Sequence, residues 1–205
     1  MNNAENQILN WLMIGISQSP NSLNESFYFD KKEEKFFSIV VTDYFMLDDN
    51  LNLAKNTTTS YSEQNQNKLV TLIKRIDKED KDILFVPRLT HKERRDVLSE
   101  FLSSIDNPKE KEKIESLYLK TDDELTHFDK RFEIESSQKI VNEWNEFKDR
   151  ILLSKAESFL NLNAINLNNA SIMDFDNEGG ITIDLTKDDN GNEIVDEKRW
   201  WEFWK

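Results

Sequence analysis

SFYFDKKEEKFFSIVVTDYFML, residues 26–47, decides the fold class. Phe27 and Phe29 alternate with Tyr28, the charged run Lys31–Glu34 follows, and Phe36–Thr42 is rich in aromatic and β-branched side chains. A period of two on both sides of a polar break predicts a β-hairpin. The tip has no Gly, so a longer loop is expected rather than a tight primed turn.

Outward from the hairpin the period changes to that of helices. Ile8, Leu12 and Ile16 share one face of a helix predicted over residues 5–17, stopped by Pro20 and Asn21. The apolar stretch ILNWLMIGI inside it is too short to span a bilayer, and Glu5 rather than Lys or Arg precedes it, so it reads as a core helix and not a signal peptide. On the other side, residues 48–67 are polar and rich in Asn and Thr, and read as a loop. Leu69, Leu72, Ile73 and Ile76 predict a helix over 64–78. ILFVPRL predicts a short strand that Pro87 confines to an edge or ends.

The next segment carries explicit helix starts. Thr90 and Glu93 form a capping box ahead of Val97, Leu98, Phe101, Leu102 and Ile105. Asn107-Pro108 supplies an N-cap and an N1 proline before Ile114, Leu117 and Tyr118. Thr121 and Glu124 form a second box before Leu125, Phe128 and Phe132. Ser136 or Ser137 opens the longest run, in which Ile140, Trp144, Phe147 and Ile151 hold one face of a helix reaching about residue 160. Beyond it, Ile181, Ile183 and Leu185 alternate as a strand, KDDNGNE is a turn, and Ile194 and Val195 are the expected return strand. No repeat of solenoid length is present. The expected fold is α+β and mainly helical, with an N-terminal antiparallel hairpin and a small C-terminal hairpin. Residues 1–165 are expected to form the main domain, with 166–205, a hairpin and an aromatic tail, packed on it.

The composition narrows the chemistry. A chain of 205 residues with 13 Phe and 5 Trp can bury a sizeable core despite only 37% hydrophobic residues. The net charge of −13 repels phosphate backbones and anionic lipid, so direct nucleic-acid binding and membrane adhesion are not expected. The absence of cysteine excludes disulfides, thiolate zinc sites, iron–sulfur clusters and cysteine nucleophiles. It matches a reducing compartment, and the cytoplasm is the expected location.

Four patterns resemble metal or catalytic sites. Glu124 and His127 lie at i, i+3 on one helix face, the spacing used in di-iron carboxylate bundles, but a second such motif is missing and Glu124 serves as a capping residue. Asp174, Asp176 and Glu178 copy the first half of a calcium loop, with Gly179 at position 6; position 12 is Leu185 where a bidentate Glu is needed. A second such frame around Asp188, Asn190 and Gly191 puts Thr186 at position 1 and reads as a hairpin turn. His91-Lys-Glu93 has the H-x-E order of zinc deaminases without their thiolates. There is no P-loop, dinucleotide fingerprint or nucleophile elbow. Arg94 and Arg95 sit near the apolar side of their helix, placed to bind an anion or pair with nearby acids. No cofactor is expected.

Four blocks are similar to the bacterial uncharacterised protein family 0158: ESFYFDKKEEKFFSIV, VPRLTHKERRDVLSEFLSSIDNP, HFDKRF and NEWNEFKDRIL. The resemblance spans residues 5–160. The hairpin tip lacks the Gly expected of it, and the chain after 165 has no counterpart. It implies an intracellular bacterial protein of this architecture and brings no catalytic residues.

The last feature is KRWWEFWK, in which Trp200, Trp201, Phe203 and Trp204 crowd together. Such residues concentrate in interaction hot spots. The sequence thus points to a non-catalytic protein-interaction or regulatory protein, with a protein partner or self-association through this tail. The alternatives are a metal-assisted hydrolase using carboxylates and an acidic regulator of a basic nucleic-acid-binding protein.

Overall fold

The computed structural model describes residues 3–119, 131–173, 175 and 181–193. Along the chain come α1 (Asn3–Ser17), β1 (Glu25–Asp30), β2 (Lys35–Val40), a 3-10 helix (Val41–Met46), β3 (Thr57–Thr59), α2 (Glu63–Asp77) and β4 (Ile83–Phe85). Then follow α3 (His91–Ser103), α4 (Pro108–Leu119), α5 (Gln138–Leu162), β5 (Ser171–Ile172) and β6 (Ile181–Ile183). The mainly helical α+β class is as the hairpin and the helix starts predict. The chain forms two compact units: Met1–Ser38 with Leu84–Met173, and Ile39–Ile83 with Asp174–Lys205.

The first unit holds the large apolar core. β1 and β2 form the predicted hairpin, and the sheet runs in the order β4-β1-β2-β5. The Gly-free tip closes because Glu34 takes the left-handed conformation at φ 52° and Asp30 Oδ1 accepts the Lys32 amide at 2.9 Å. β4 lies at the edge and ends at Phe85, before Pro87. β5 adds a parallel pairing that the sequence did not announce, with Lys35 opposite Ser171 and Phe36 opposite Ile172. α1 comes so close to the sheet that a Cβ on Gly15 would stand 2.7 Å from the Phe27 ring. α5 packs on α1 and α3 and buries Ile140, Val141, Trp144, Leu152, Ala156, Phe159 and Leu160. The Trp144 ring is 5.1 Å from Phe101 and 6.3 Å from Phe132, centroid to centroid. Removing that much aromatic surface from water is the main favourable term for this unit. The capping box at Thr90 forms as predicted: Thr90 Oγ1 accepts the Glu93 amide at 3.2 Å, and Glu93 Oε2 accepts the Thr90 amide at 2.9 Å.

The second unit has fewer apolar residues and more polar turns. α2 starts on Ser62, whose Oγ accepts the Asn65 amide at 3.2 Å, and it buries Leu69, Leu72 and Ile73. Residues 48–67, expected as a loop, contain β3. Its partner is β6, antiparallel, with Thr57 opposite Ile183 and Thr59 opposite Ile181. The predicted strand at 181–183 therefore forms its ladder with a distant segment; Ile194 and Val195 lie outside the described residues. Asp43 is buried at the 3-10 helix, where Oδ2 accepts the Val40 amide at 2.8 Å and Oδ1 accepts the Tyr61 hydroxyl at 2.9 Å. Burial, together with this carboxylate, raises the Tyr61 pKa.

Candidate functional site

The main candidates read from sequence for metal or partner binding fall outside the described residues: Glu124, His127, Asp174, Asp176, Glu178, Trp200, Trp201, Phe203 and Trp204. Among the described residues, no group of three His, Asp or Glu could hold a metal ion. None of the described helices is long and apolar enough to cross a membrane.

The structure gives partners to two of the groups singled out from the sequence. Arg94 is fully buried, and its guanidinium binds backbone carbonyls. Its guanidinium donates to the carbonyls of Gln18, of Ser17 at 2.7 Å and of Leu89 at 3.3 Å. Arg88 donates to the carbonyls of Ser22 and Glu25, and to that of Ser19 at 3.1 Å. Five rigid donors per guanidinium suit this work, which satisfies the last carbonyls of α1 and the loop after it. The other group is Glu93 of the His91-Lys-Glu93 motif. Glu93 is committed to the helix cap and to Lys155 Nζ, 2.5 Å from Oε1. The Lys155 hydrogen bond, and next the Thr90 amide, hold the carboxyl at about 2. A carboxylate this acidic is a poor proton acceptor near neutral pH. This pair sits at a cavity of about 590 Å³ in the first unit, lined also by Phe85, Pro87, Phe159 and Leu162.

A motif repeated within the second unit is visible in the sequence once the structure shows what it does. Asp48-Asp-Asn-Leu-Asn52 and Asp188-Asp-Asn-Gly-Asn192 make the same turn. In the first, Asp48 Oδ1 accepts the amides of Asn50 at 2.9 Å and Asn52 at 2.8 Å, and the Asp48 amide donates to the Asn52 carbonyl at 2.8 Å. In the second, Asp188 Oδ1 accepts those of Asn190 at 3.0 Å and Asn192 at 2.8 Å, and the Asp188 amide donates to Asn192 at 2.9 Å. Each turn ends on an antiparallel bridge, Leu47 to Leu53 and Lys187 to Glu193. Asn56 connects this region to the second turn, its Nδ2 donating to the Lys187 carbonyl at 3.1 Å and to Asp189 Oδ1 at 3.3 Å. Backbone amides, first those of Asn52 and Asn192, lower the pKa of Asp48 and Asp188. The Oδ1 atoms are thus spent on the turn, and the hairpin-turn reading of Asp188 holds.

A second concavity is a groove of about 1110 Å³ in the first unit, where α1, α3 and α5 meet. Leu9, Met13, Phe101, Phe147 and Leu153 give it apolar walls, and Glu143, Glu146 and Asp149 stand along α5 at its rim. All three acids are exposed. Arg150, also at the rim, lies with its guanidinium carbon 5.4 Å from the centroid of the Phe147 ring. The sequence shows Glu143 and Glu146 as an ordinary solvated helix face; only the packing of α1 against α5 sets a trough beside them. Its volume exceeds the usual range for small-molecule pockets, about 300–1,000 Å³, and accommodates several large side chains. No family model matches the chain, and neither the curated proteins nor the solved structures contain a match.

Proposed function

We propose that this protein acts by binding another protein and not by catalysis, and that its ligand is a segment combining basic and bulky apolar side chains. The observation that carries this reading is the composition of the α1–α3–α5 groove: apolar walls for large side chains, with three carboxylates on one helix at the rim. Apolar burial supplies affinity in such a site, and the rim charges steer and discriminate. The net charge of −13 adds long-range attraction for a basic partner. The same carboxylates favour one second reading, a regulator that occupies the basic surface of a nucleic-acid-binding protein.

The test is a panel of labelled peptides titrated into the full chain at two ionic strengths. Basic-aromatic peptides should bind, more weakly in high salt, while acidic or purely polar peptides of equal length should not. Phe147→Ala should weaken binding by about tenfold or more, as loss of a central aromatic contact does. Equal binding of all peptides, or indifference to Phe147→Ala, sinks the reading. Stoichiometric metal in the purified protein would favour the hydrolase alternative.

A further inference from the structure

We infer that the cavity at the Glu93–Lys155 pair binds a small monoanion with an apolar body, an aromatic carboxylate. The inference goes beyond the function proposed for the α1–α3–α5 groove, and the two concavities share no lining residue. The volume of about 590 Å³ lies within the usual span of small-molecule pockets, roughly 300–1,000 Å³. Ile16, Leu89 and Phe159 are buried apolar walls, while Phe85 and Leu162 are 49% and 86% exposed. A ligand with an apolar body takes those exposed side chains out of water, and the Phe rings favour a flat, aromatic one. Charge sets the sign of the ligand. The charged residues of the lining are Arg88, Lys155 and Glu93, two cations against one acid, in a chain whose net charge is −13. Arg88 sets its guanidinium on the carbonyls of Ser19, Ser22 and Glu25 and pairs with no carboxylate among the described residues, so dipoles alone meet its charge. Lys155 gives one N–H to Glu93 Oε1 and none to any other described residue, which leaves donors for a second oxygen anion. Glu93 has no such reserve: its other oxygen already accepts the Thr90 amide and hydroxyl. The carboxylate of the ligand therefore contacts Lys155, with Arg88 adding attraction across the apolar wall, and an ammonium group in its place meets two like charges.

Calorimetric titration of the full chain with naphthalene-2-carboxylate, naphthalene-2-methanol and naphthalene-2-methylammonium, which share one ring system, tests this. The carboxylate should bind, less tightly as salt is raised, with the alcohol about tenfold weaker and the ammonium weaker still. Lys155→Met keeps the aliphatic stem and should cost the carboxylate about tenfold while leaving the alcohol unchanged. Glu93→Gln keeps a capping side chain and removes the competing acid, so the carboxylate should bind about threefold more tightly. Ser158→Phe, at an exposed position of α5 in the lining, should fill the cavity and abolish binding of carboxylate and alcohol alike, with an unchanged circular-dichroism spectrum. In the wild type, amide shifts induced by the carboxylate should concentrate in residues 84–93 and 154–163, a readout that needs no variant to fold. An alcohol bound as tightly as the carboxylate, a carboxylate indifferent to Lys155→Met or to folded Ser158→Phe, or shifts confined to other residues overturns the inference. So does failure of the carboxylate to bind at millimolar concentration. None of these results bears on peptide binding in the groove, so the two readings fail separately.

Discussion

The two compact units are held by different kinds of interaction. In the first, two dozen buried apolar residues make one contiguous cluster, from Ile8 on α1 through Phe36 on β2 to Leu160 on α5. In the second, α2 contributes Leu69, Leu72 and Ile73 beside the buried Ile39, Met46, Ala54 and Tyr61, and two turns are closed by Asp48 and Asp188 accepting backbone amides. The contrast matters for how each would fail. Apolar packing is non-directional and roughly proportional to area, so a core loses stability by atoms removed. A polar turn is directional: one side chain or one dihedral angle decides whether it closes.

The largest effect should come from the first unit. Trp144→Ala should cost about 3–5 kcal/mol in denaturant unfolding, because Trp144 is 1% exposed and packed on Phe101 and Phe132. A loss under 1 kcal/mol would mean that the aromatic cluster is not what holds this unit. Next is Gly15→Ala. A methyl group there meets a Phe27 ring that is itself buried in the core, so the change should destabilise by about 1–3 kcal/mol even though Ala favours helix.

The twin turns give a sharper test of the second unit. Leu51 and Gly191 occupy the same position in the two copies, and both are left-handed, at φ 57° and 80°. A left-handed residue with a Cβ costs about 1–2 kcal/mol, and at 191 the new Cβ would lie 3.0 Å from the Lys55 Cβ. Gly191→Leu should therefore lose about 2 kcal/mol. Leu51→Gly should gain about 0.5 kcal/mol, relief of strain outweighing added chain entropy. Equal and small effects at both sites would show that the dihedral does not control closure.

The smallest effect is electrostatic. Glu93 falls from an ordinary 4.5 to about 2 in the fold, so its ion pair with Lys155 contributes above pH 4.5 and is lost as pH falls toward 2. Glu93→Gln should lower the melting temperature at neutral pH, and the gap should close across that window. With the Glu93 side chain 35% exposed, screening keeps the difference below about 1 kcal/mol. A gap that widens in acid would reverse the assigned sign.

Legibility followed the same division. The helix over residues 64–78, the Thr90 capping box and the start at Pro108 could be read directly, because period and cap chemistry are local. The long helix was predicted to reach about residue 160 and extends to Leu162. β3 was not visible: Thr57-Thr-Thr59 has no apolar alternation, and it is a strand because β6 pairs with it. The repeated D-D-N-x-N turn is spelled out in the sequence, but its first copy has Leu51 where the turn signal wants Gly, so the letters mark only the second copy as a turn. The candidate groove was not legible either. Glu143, Glu146 and Asp149 look like any solvated helix face until α1 is laid beside α5.

The sequence by itself determined which stretches are helical, where the hairpin lies and which thiol chemistries are excluded, since these depend on side-chain period, cap residues and composition within a few positions. Tertiary structure alone decided that β2 takes β5 as a parallel neighbour, that Arg94 reaches the carbonyls of Ser17 and Gln18, and that three acids border a trough. Those outcomes depend on contacts between residues far apart in the chain, and no local pattern encodes which distant surface a given face will meet.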